Sequence, residues 1–241
     1  MRSPFPARRI CLDPDAFEVQ IGEELVRAFT PEDDVTKGLE SHGLEWRYPF
    51  EDGLVAFEPF TGLSLPAYRT PHPDRRIACF LSHFREWKRI AIEGETGLIL
   101  EDDADIHDLE ALLEVHAALE APPAGHRRAP MQYHIVGVND PRGATRLADR
   151  YHRAVRTAAG LTCAPVIVAA PWIDYAEIPQ GLAGGSAYFM TPWGARLAMK
   201  AAHDYGAWPN DALLCKQLLP GILGQAVRYG TTVSGRESTL A

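Results

Sequence analysis

Leu98-Ile99-Leu100 runs directly into Glu101-Asp102-Asp103-Ala104-Asp105. An apolar run of strand length thus ends in four carboxylates within five residues. Side chains alternate between the faces of a strand. If the strand continues, Glu101, Asp103 and Asp105 share one face and Asp102 takes the other. Like charges this close repel and raise each other's pKa unless a cation lies among them. Oxygen ligands at the carboxyl end of a strand suit Mg2+ or Mn2+, with substrate phosphates completing the shell. The pattern points to a metal–diphosphate site at the edge of an α/β sheet. The plainer alternative is an exposed acidic turn after a buried strand, with Asp capping a helix near 107–119.

The chain has 241 residues, which fits one domain, and 46% hydrophobic content, which is ample for a core. We expect a single domain over 1–241. The Pro/Gly break at 121–130 divides it into halves 1–120 and 121–241. A net charge of −8 argues against a general nucleic-acid binder, although a local basic patch is compatible with it. The four cysteines (Cys11, Cys79, Cys163, Cys215) form no Cys-x-x-Cys pair. That spacing fits neither a zinc ribbon nor a disulfide framework, and free thiols in a reducing compartment are expected. Apolar runs such as Ala164–Trp172 are too short to span a bilayer. The first ten residues hold no apolar h-region. The expectation is a soluble cytoplasmic protein.

Apolar spacing predicts helices over Glu18–Phe29, Ile77–Glu93, Asp108–Leu119, Arg142–Ala159, Pro192–His203 and Pro209–Leu219. In the second of these, Phe80, Phe84, Trp87 and Ala91 recur at helical spacing and read as core. Thr191-Pro192 is an N-cap followed by Pro at the first helical position. Strands are expected at Ile10–Leu12, Leu44–Phe50, Gly97–Leu100, Tyr133–Val138, Val166–Ala169 and Ser186–Met190. Residues 58–75 read as a loop. Strands alternating with helices indicate an α/β fold with a mainly parallel sheet.

Three segments together resemble glycosyltransferase family 25, which includes lipopolysaccharide and collagen galactosyltransferases. The first is Ala78-Cys79-Phe80-Leu81-Ser82-His83 followed by Leu98-Ile99-Leu100-Glu101-Asp102-Asp103. The second is Gly184-Gly185-Ser186-Ala187-Tyr188-Phe189-Met190-Thr191 with Gly194-Ala195. The third is Trp208-Pro209-Asn210-Asp211. Weaker echoes are Leu12-Asp13, Glu51-Asp52-Gly53 and Ser238. The family usually follows its first Leu-Asp with an Arg-rich stretch. Here Pro14-Asp15-Ala16-Phe17-Glu18 stands there, which leaves the donor's base open. Segment 122–182, where acceptor specificity is expected, aligns with nothing in the family pattern.

The resemblance implies a GT-A-like, Rossmann-type nucleotide-sugar-binding domain and an inverting transfer from a nucleotide-diphosphate sugar, UDP-linked by expectation. It makes 1–120 the nucleotide-sugar-binding half and 121–241 the acceptor-side half. Ligands in such sheets lie beyond the strand carboxyl ends. A Mn2+ or Mg2+ ion would stabilise the diphosphate leaving group. Asp103 is the first choice as metal ligand. Asp105 is a second, since Asp103-Ala104-Asp105 is itself an Asp-x-Asp. Glu101 or Asp102 would reach the ribose or a metal-bound water. Leu12, Asp13, Asp52, His83 and Gly185 complete the expected donor contacts. His83 has a competing reading as a structural histidine between helix and sheet, and Gly184-Gly185 as a turn before a strand. Ser82 and Trp87 read as packing residues. A single displacement needs a general base, for which Asp211 is the best candidate and Asp140 a second. Asp211 also reads as a helix N-terminal carboxylate, whose pKa the macrodipole would lower. No Gly-x-Ser-x-Gly hydrolase motif is present.

Arg142, Arg146, Arg150, Arg153 and Arg156 recur at i+4, i+4, i+3 and i+3. On a helix they cover one side, with Leu147, Tyr151, Val155 and Ala158 opposite. A solvated helix face is one reading. An anionic surface, either a membrane leaflet or DNA, is the other. The expected partners are a nucleotide-sugar donor and a bacterial surface glycan such as lipopolysaccharide, with peripheral placement at the inner membrane face as an option. Three rivals remain: transfer to a hydroxymethylated base in DNA, a non-catalytic nucleotide-sugar-binding module, and a Mg2+ phosphohydrolase.

Overall fold

The structure, a computed structural model, describes residues 3–51, 53–67, 72–121, 133–143, 145, 147–161 and 165–234. Its strands are β1 (Ala7–Cys11), β2 (Glu24–Arg27), β3 (Val55–Glu58), β4 (Leu63–Pro66), β5 (Gly97–Glu101), β6 (Ala104–Ile106), β7 (Ile135–Gly137), β8 (Ile167–Ala169), β9 (Ala187–Met190), β10 (Leu223–Ala226) and β11 (Thr231–Val233). Its helices are α1 (Val35–Ser41), α2 (Pro73–Glu93), α3 (Leu109–Glu120), α4 (Ala148–Gly160), α5 (Pro192–Tyr205) and α6 (Asn210–Leu213).

Seven strands form one sheet in the order β2-β1-β5-β9-β7-β10-β8. The α/β architecture is the expected one, and the sheet is mixed. β1 is parallel to β2 and β5, and β7 is parallel to β10. β9 is antiparallel to both β5 and β7, and β8 is antiparallel to β10.

β5 is buried on both faces, and its alternation sorts the core. Leu98 and Leu100 join Leu112, Val115 and Leu119 of α3. Ile99 joins Phe80, Phe84 and Trp87 of α2 on the opposite face. β9 repeats the pattern, with Phe189 toward α3 and Tyr188 toward α2. Period-two alternation therefore places Glu101 on the α2 face with Ile99.

α2 is a helix because its apolar residues fall on one stripe, as predicted. It begins at Pro73 and stops where Gly94 takes a φ of 77° and donates its N–H to Ile90. Phe80, Trp87 and Ile90 are completely buried. Each such side chain contributes ~1.5–3 kcal/mol relative to exposure. α5 packs on α2 through Ala195, Ala198, Ala201 and Ala202, and the Thr191 hydroxyl caps it at the Gly194 N–H, 3.1 Å.

Several predicted elements differ. Glu18–Phe29 is not a helix: residues 17–23 wrap around Arg9, and 24–27 become an edge strand beside β1. Leu44–Phe50 contributes only a bridge, Trp46 to Ala207. The expected loop at 58–75 contains β4 and the start of α2. β3 and β4 form a hairpin whose turn is tied by the Glu58 carboxylate to the Phe60 and Thr61 N–H groups. α4 begins at Ala148 rather than Arg142, because Asp140 accepts from the Arg142 N–H and guanidinium and turns the chain there. The last helix stops at Leu213, where Lys216 N–H donates to the Gln180 carbonyl instead of continuing the ladder. No helix among the described residues is long and apolar enough to cross a membrane.

Candidate active site

From β1 the chain moves to β2 on one side and returns through α2 to β5 on the other. Such a reversal opens a crevice at the strand carboxyl ends. A cavity of about 330 Å3 lies there. It is lined by Cys11 at the end of β1 and Leu12 after it, residues 28–32 after β2, Glu101 at the end of β5 and Asp102 after it, and Arg75, Cys79, Ser82 and His83 on α2. A second cavity, about 180 Å3, adjoins it and is lined by Leu12, Asp13, Phe17, Asp102 and Asp103. Leu12 and Asp102 border both.

The strand does not continue through the acidic run. It ends at Glu101, Asp102 and Asp103 form a turn, and β6 leaves to pair with β11. Arg9 holds the turn from inside. One of its nitrogens donates to the carbonyl oxygens of Glu101, 3.0 Å, and Ala104, 2.5 Å. The rest of the guanidinium bonds Glu23 at 2.9 Å and Gln20 at 3.1 Å, and stacks over Phe17. Gln20 also accepts from the Ile106 N–H.

Asp103 is the carboxylate most changed by this arrangement. Burial, then the charges of Glu101 and Asp102, raise its pKa to about 7. Its Oδ1 is buried with no hydrogen-bond partner. The orphaned oxygen shares the smaller cavity with Asp102 and Asp13, whose oxygens are donors of the kind Mg2+ and Mn2+ take, while the three-ligand cluster already drawn together among the described residues is Cys79, His83 and Glu101. Asp13 Oδ1 also caps the Asp15 N–H at 3.1 Å. Asp105 lies on β6, borders neither cavity, and accepts from Gln20 at 3.4 Å.

His83 is held at both ring nitrogens. Nδ1 is 2.8 Å from the Tyr188 hydroxyl, and Nε2 is 2.9 Å from Glu101 Oε1. Trp87 Nε1, which can only donate, gives its hydrogen to Tyr188 at 2.7 Å. Tyr188 then directs its own hydrogen at Nδ1, which leaves the Nε2–H for Glu101. This assignment satisfies every group in the chain. His83 thus brackets helix and sheet, and its ring also lines the larger cavity.

Gly185 touches the same cluster. A Cβ there would be 2.8 Å from Asn210 Nδ2 and 3.9 Å from Glu101 Oε1, so glycine permits the approach of 185 to 210. Ser82 is structural: its hydroxyl accepts from the Phe29 N–H and donates to the Ala78 carbonyl.

Asp211 is raised, not lowered. Burial pushes its carboxyl up; Arg76 opposes this and Glu101 reinforces it. The four-residue α6 is too short for the expected macrodipole effect. Asp211 also lines a further cavity of about 180 Å3, with Thr145, Asp174, Gln180 and Gly181. It therefore stands within electrostatic reach of Glu101 and borders a separate polar opening. For Asp140, burial raises the carboxyl, but the hydrogen bonds from Arg142 outweigh it and leave it below the ordinary range. That makes it the weaker base. Arg150, Arg153 and Arg156 are exposed on α4, opposite the buried Tyr151 and Val155. Arg142 is off the helix and paired with Asp140. Asp52, Arg146, Cys163 and Ser238 lie outside the described residues.

Sequence reasoning missed Arg9, Tyr188 and Asn210 as site-organising residues. No local pattern marks the first, because its partners Glu23, Gln20, Glu101 and Ala104 reach it only in the folded chain. Residues 60–122 match the family model of Glycosyltransferase family 25 (LPS biosynthesis protein), and that match supports a glycosyltransferase. The matched span contains Cys79, His83 and the 101–105 turn, and stops short of Gly185 and Asp211. No curated protein matches the chain.

Proposed function

We propose that the protein is a metal-dependent, inverting glycosyltransferase. It moves a sugar from a UDP-linked donor to a hydroxyl of a bacterial surface glycan such as lipopolysaccharide. The observation that carries this reading is the position of Asp211. Its raised carboxyl is in electrostatic reach of Glu101 on one side and lines a separate polar cavity on the other. A single displacement requires a base placed between donor and acceptor in this way.

The nucleotide occupies the crevice bordered by Leu12, Ser82, His83 and Asp102, with Arg75 beside the diphosphate. Asp103, Asp102 and Asp13 would hold Mn2+ or Mg2+, which supplies charge neutralisation for the diphosphate leaving group. Glu101, oriented by His83, faces the sugar. Asp211 takes the proton of the acceptor hydroxyl. The acceptor oxygen bonds the anomeric carbon as the bond to the diphosphate breaks, and configuration inverts.

The test is thermal denaturation with a panel of nucleotides and nucleotide sugars, with and without Mn2+, followed by a transfer assay with the donor that binds. A ligand specific to the folded state raises stability by mass action. A metal-dependent shift with a uridine diphosphate sugar, lost in Asp103→Ala, is the expected result. No shift with any donor would remove the catalytic reading.

A further inference from the structure

We propose that Cys79, His83 and Glu101 form a binding site for a soft divalent cation of the Zn2+ type, separate from the carboxylates of Asp13, Asp102 and Asp103. Cys79 and His83 are i and i+4 on α2, so both side chains leave the same helix face one turn apart. Glu101 enters from the end of β5. A thiol sulfur, an imidazole nitrogen and a carboxylate oxygen, one from each residue, all lie within 4.8 Å of one another. These are the ligand atoms zinc takes, whereas an oxygen-seeking Mg2+ has no use for the thiol.

The surroundings are those of a ligating histidine. Its second nitrogen is fixed by Tyr188, which is fixed in turn by Trp87, and both of these side chains are fully buried. An outer partner of that kind sets the ring orientation of a metal-bound imidazole. All three ligands line the 330 Å3 cavity, so a fourth coordination position faces open space. Three protein ligands with an open fourth position is the pattern of catalytic rather than structural zinc sites. On binding, the Cys79 thiol proton leaves to solvent. The imidazole proton moves from Nε2 to Nδ1, and the Tyr188 oxygen, which then accepts from both Nδ1 and Trp87 Nε1, turns its own hydrogen away from the ring. The site shares His83 and Glu101 with the proposed donor crevice, so it is tested on the protein without donor, where its ligand geometry stands whether or not the transferase reading holds.

Co2+ titration of the full chain tests it, because thiolate ligation gives an intense near-ultraviolet charge-transfer band that oxygen ligands do not. We expect the band in the wild type, its displacement by Zn2+, its loss in Cys79→Ser and its retention in Asp103→Ala. His83→Gln should weaken Co2+ binding by more than about tenfold. Absence of the band in the wild type overturns the proposal whatever the variants do. So does an undiminished band in Cys79→Ser, or unchanged affinity in His83→Gln.

Discussion

Arg9 Nε lies 2.9 Å from Glu23 Oε1, and both side chains are entirely buried. Removing one partner of such a pair strands the other's charge in the interior, at a cost of about 3–5 kcal/mol. Arg9→Ala should lose that much in urea denaturation. It should also weaken donor binding, since the carbonyls of Glu101 and Ala104 lose their clamp. Full stability in Arg9→Ala would show that the pair does not organise the turn.

The same pair gives a pH dependence. Burial raises the Glu23 carboxyl, but N–H groups of Ile21 and Gln20, together with Arg9, outweigh it and leave its pKa below the ordinary value. A carboxyl depressed in the folded state stabilises fully above its unfolded pKa. That contribution is lost as pH falls through the folded pKa. Stability should therefore decline on the acid side of the unfolded carboxylate range, and Glu23→Gln should flatten the decline. An unchanged acid slope in Glu23→Gln would refute this.

Tyr188→Phe removes one oxygen that serves two groups. Trp87 Nε1–H loses its acceptor and His83 Nδ1 loses its donor, both in fully buried surroundings. An unsatisfied buried polar group costs roughly 1–3 kcal/mol. The variant should be destabilised by at least that much. Its affinity for the donor should also fall, because His83 is no longer held toward Glu101. Urea denaturation and donor titration measure the two effects separately. Unchanged donor affinity would leave the chain a structural device only.

Parts of this arrangement are legible in the sequence because they depend on local pattern. Phe80, Phe84 and Trp87 recur at helical spacing, and Leu98–Leu100 form an uninterrupted apolar run, so α2 and β5 can be read directly from the order of residues. Thr191-Pro192 announces α5 by its own capping chemistry. Arg9 is not legible in this way. Nothing local distinguishes a buried arginine from an exposed one, and its partners Glu23 and Gln20 meet it only after folding. Those partners also explain the misread helix at 18–29, where tertiary contacts overrode a helix-compatible pattern. The turn at Asp102-Asp103 is equally non-local, since it is set by Arg9 and by β11. The raised carboxyl of Asp211 depends on burial that no spacing reveals.

Asp211→Asn keeps the shape of the side chain and removes the base. Turnover should fall roughly a hundred- to ten-thousand-fold, with donor affinity little changed. Because burial raises the carboxyl, its ionised, proton-accepting form is populated only above a pKa higher than an ordinary aspartate's. The acid limb of the rate profile should lie correspondingly high, and Asp211→Asn should abolish it. Full turnover in the variant would move the base elsewhere.

Arg150 and Arg153 project from the exposed side of α4 and border an open depression with Arg142 and Gly143. The opposite side of the helix, Tyr151 and Val155, is buried against Val168 and Ala183, so the cationic side is fixed outward. A basic residue near an anionic leaflet contributes about 1 kcal/mol, and this attraction is screened by salt. Vesicles containing phosphatidylglycerol should therefore bind the wild type at low ionic strength and release it as salt rises. Arg150→Ala with Arg153→Ala should lose about 2 kcal/mol of this binding, roughly thirtyfold in partition. Denaturation of the double variant should be unaltered, because neither side chain contributes to the core. Equal vesicle binding by wild type and double variant would assign the arginines to an ordinary solvated face.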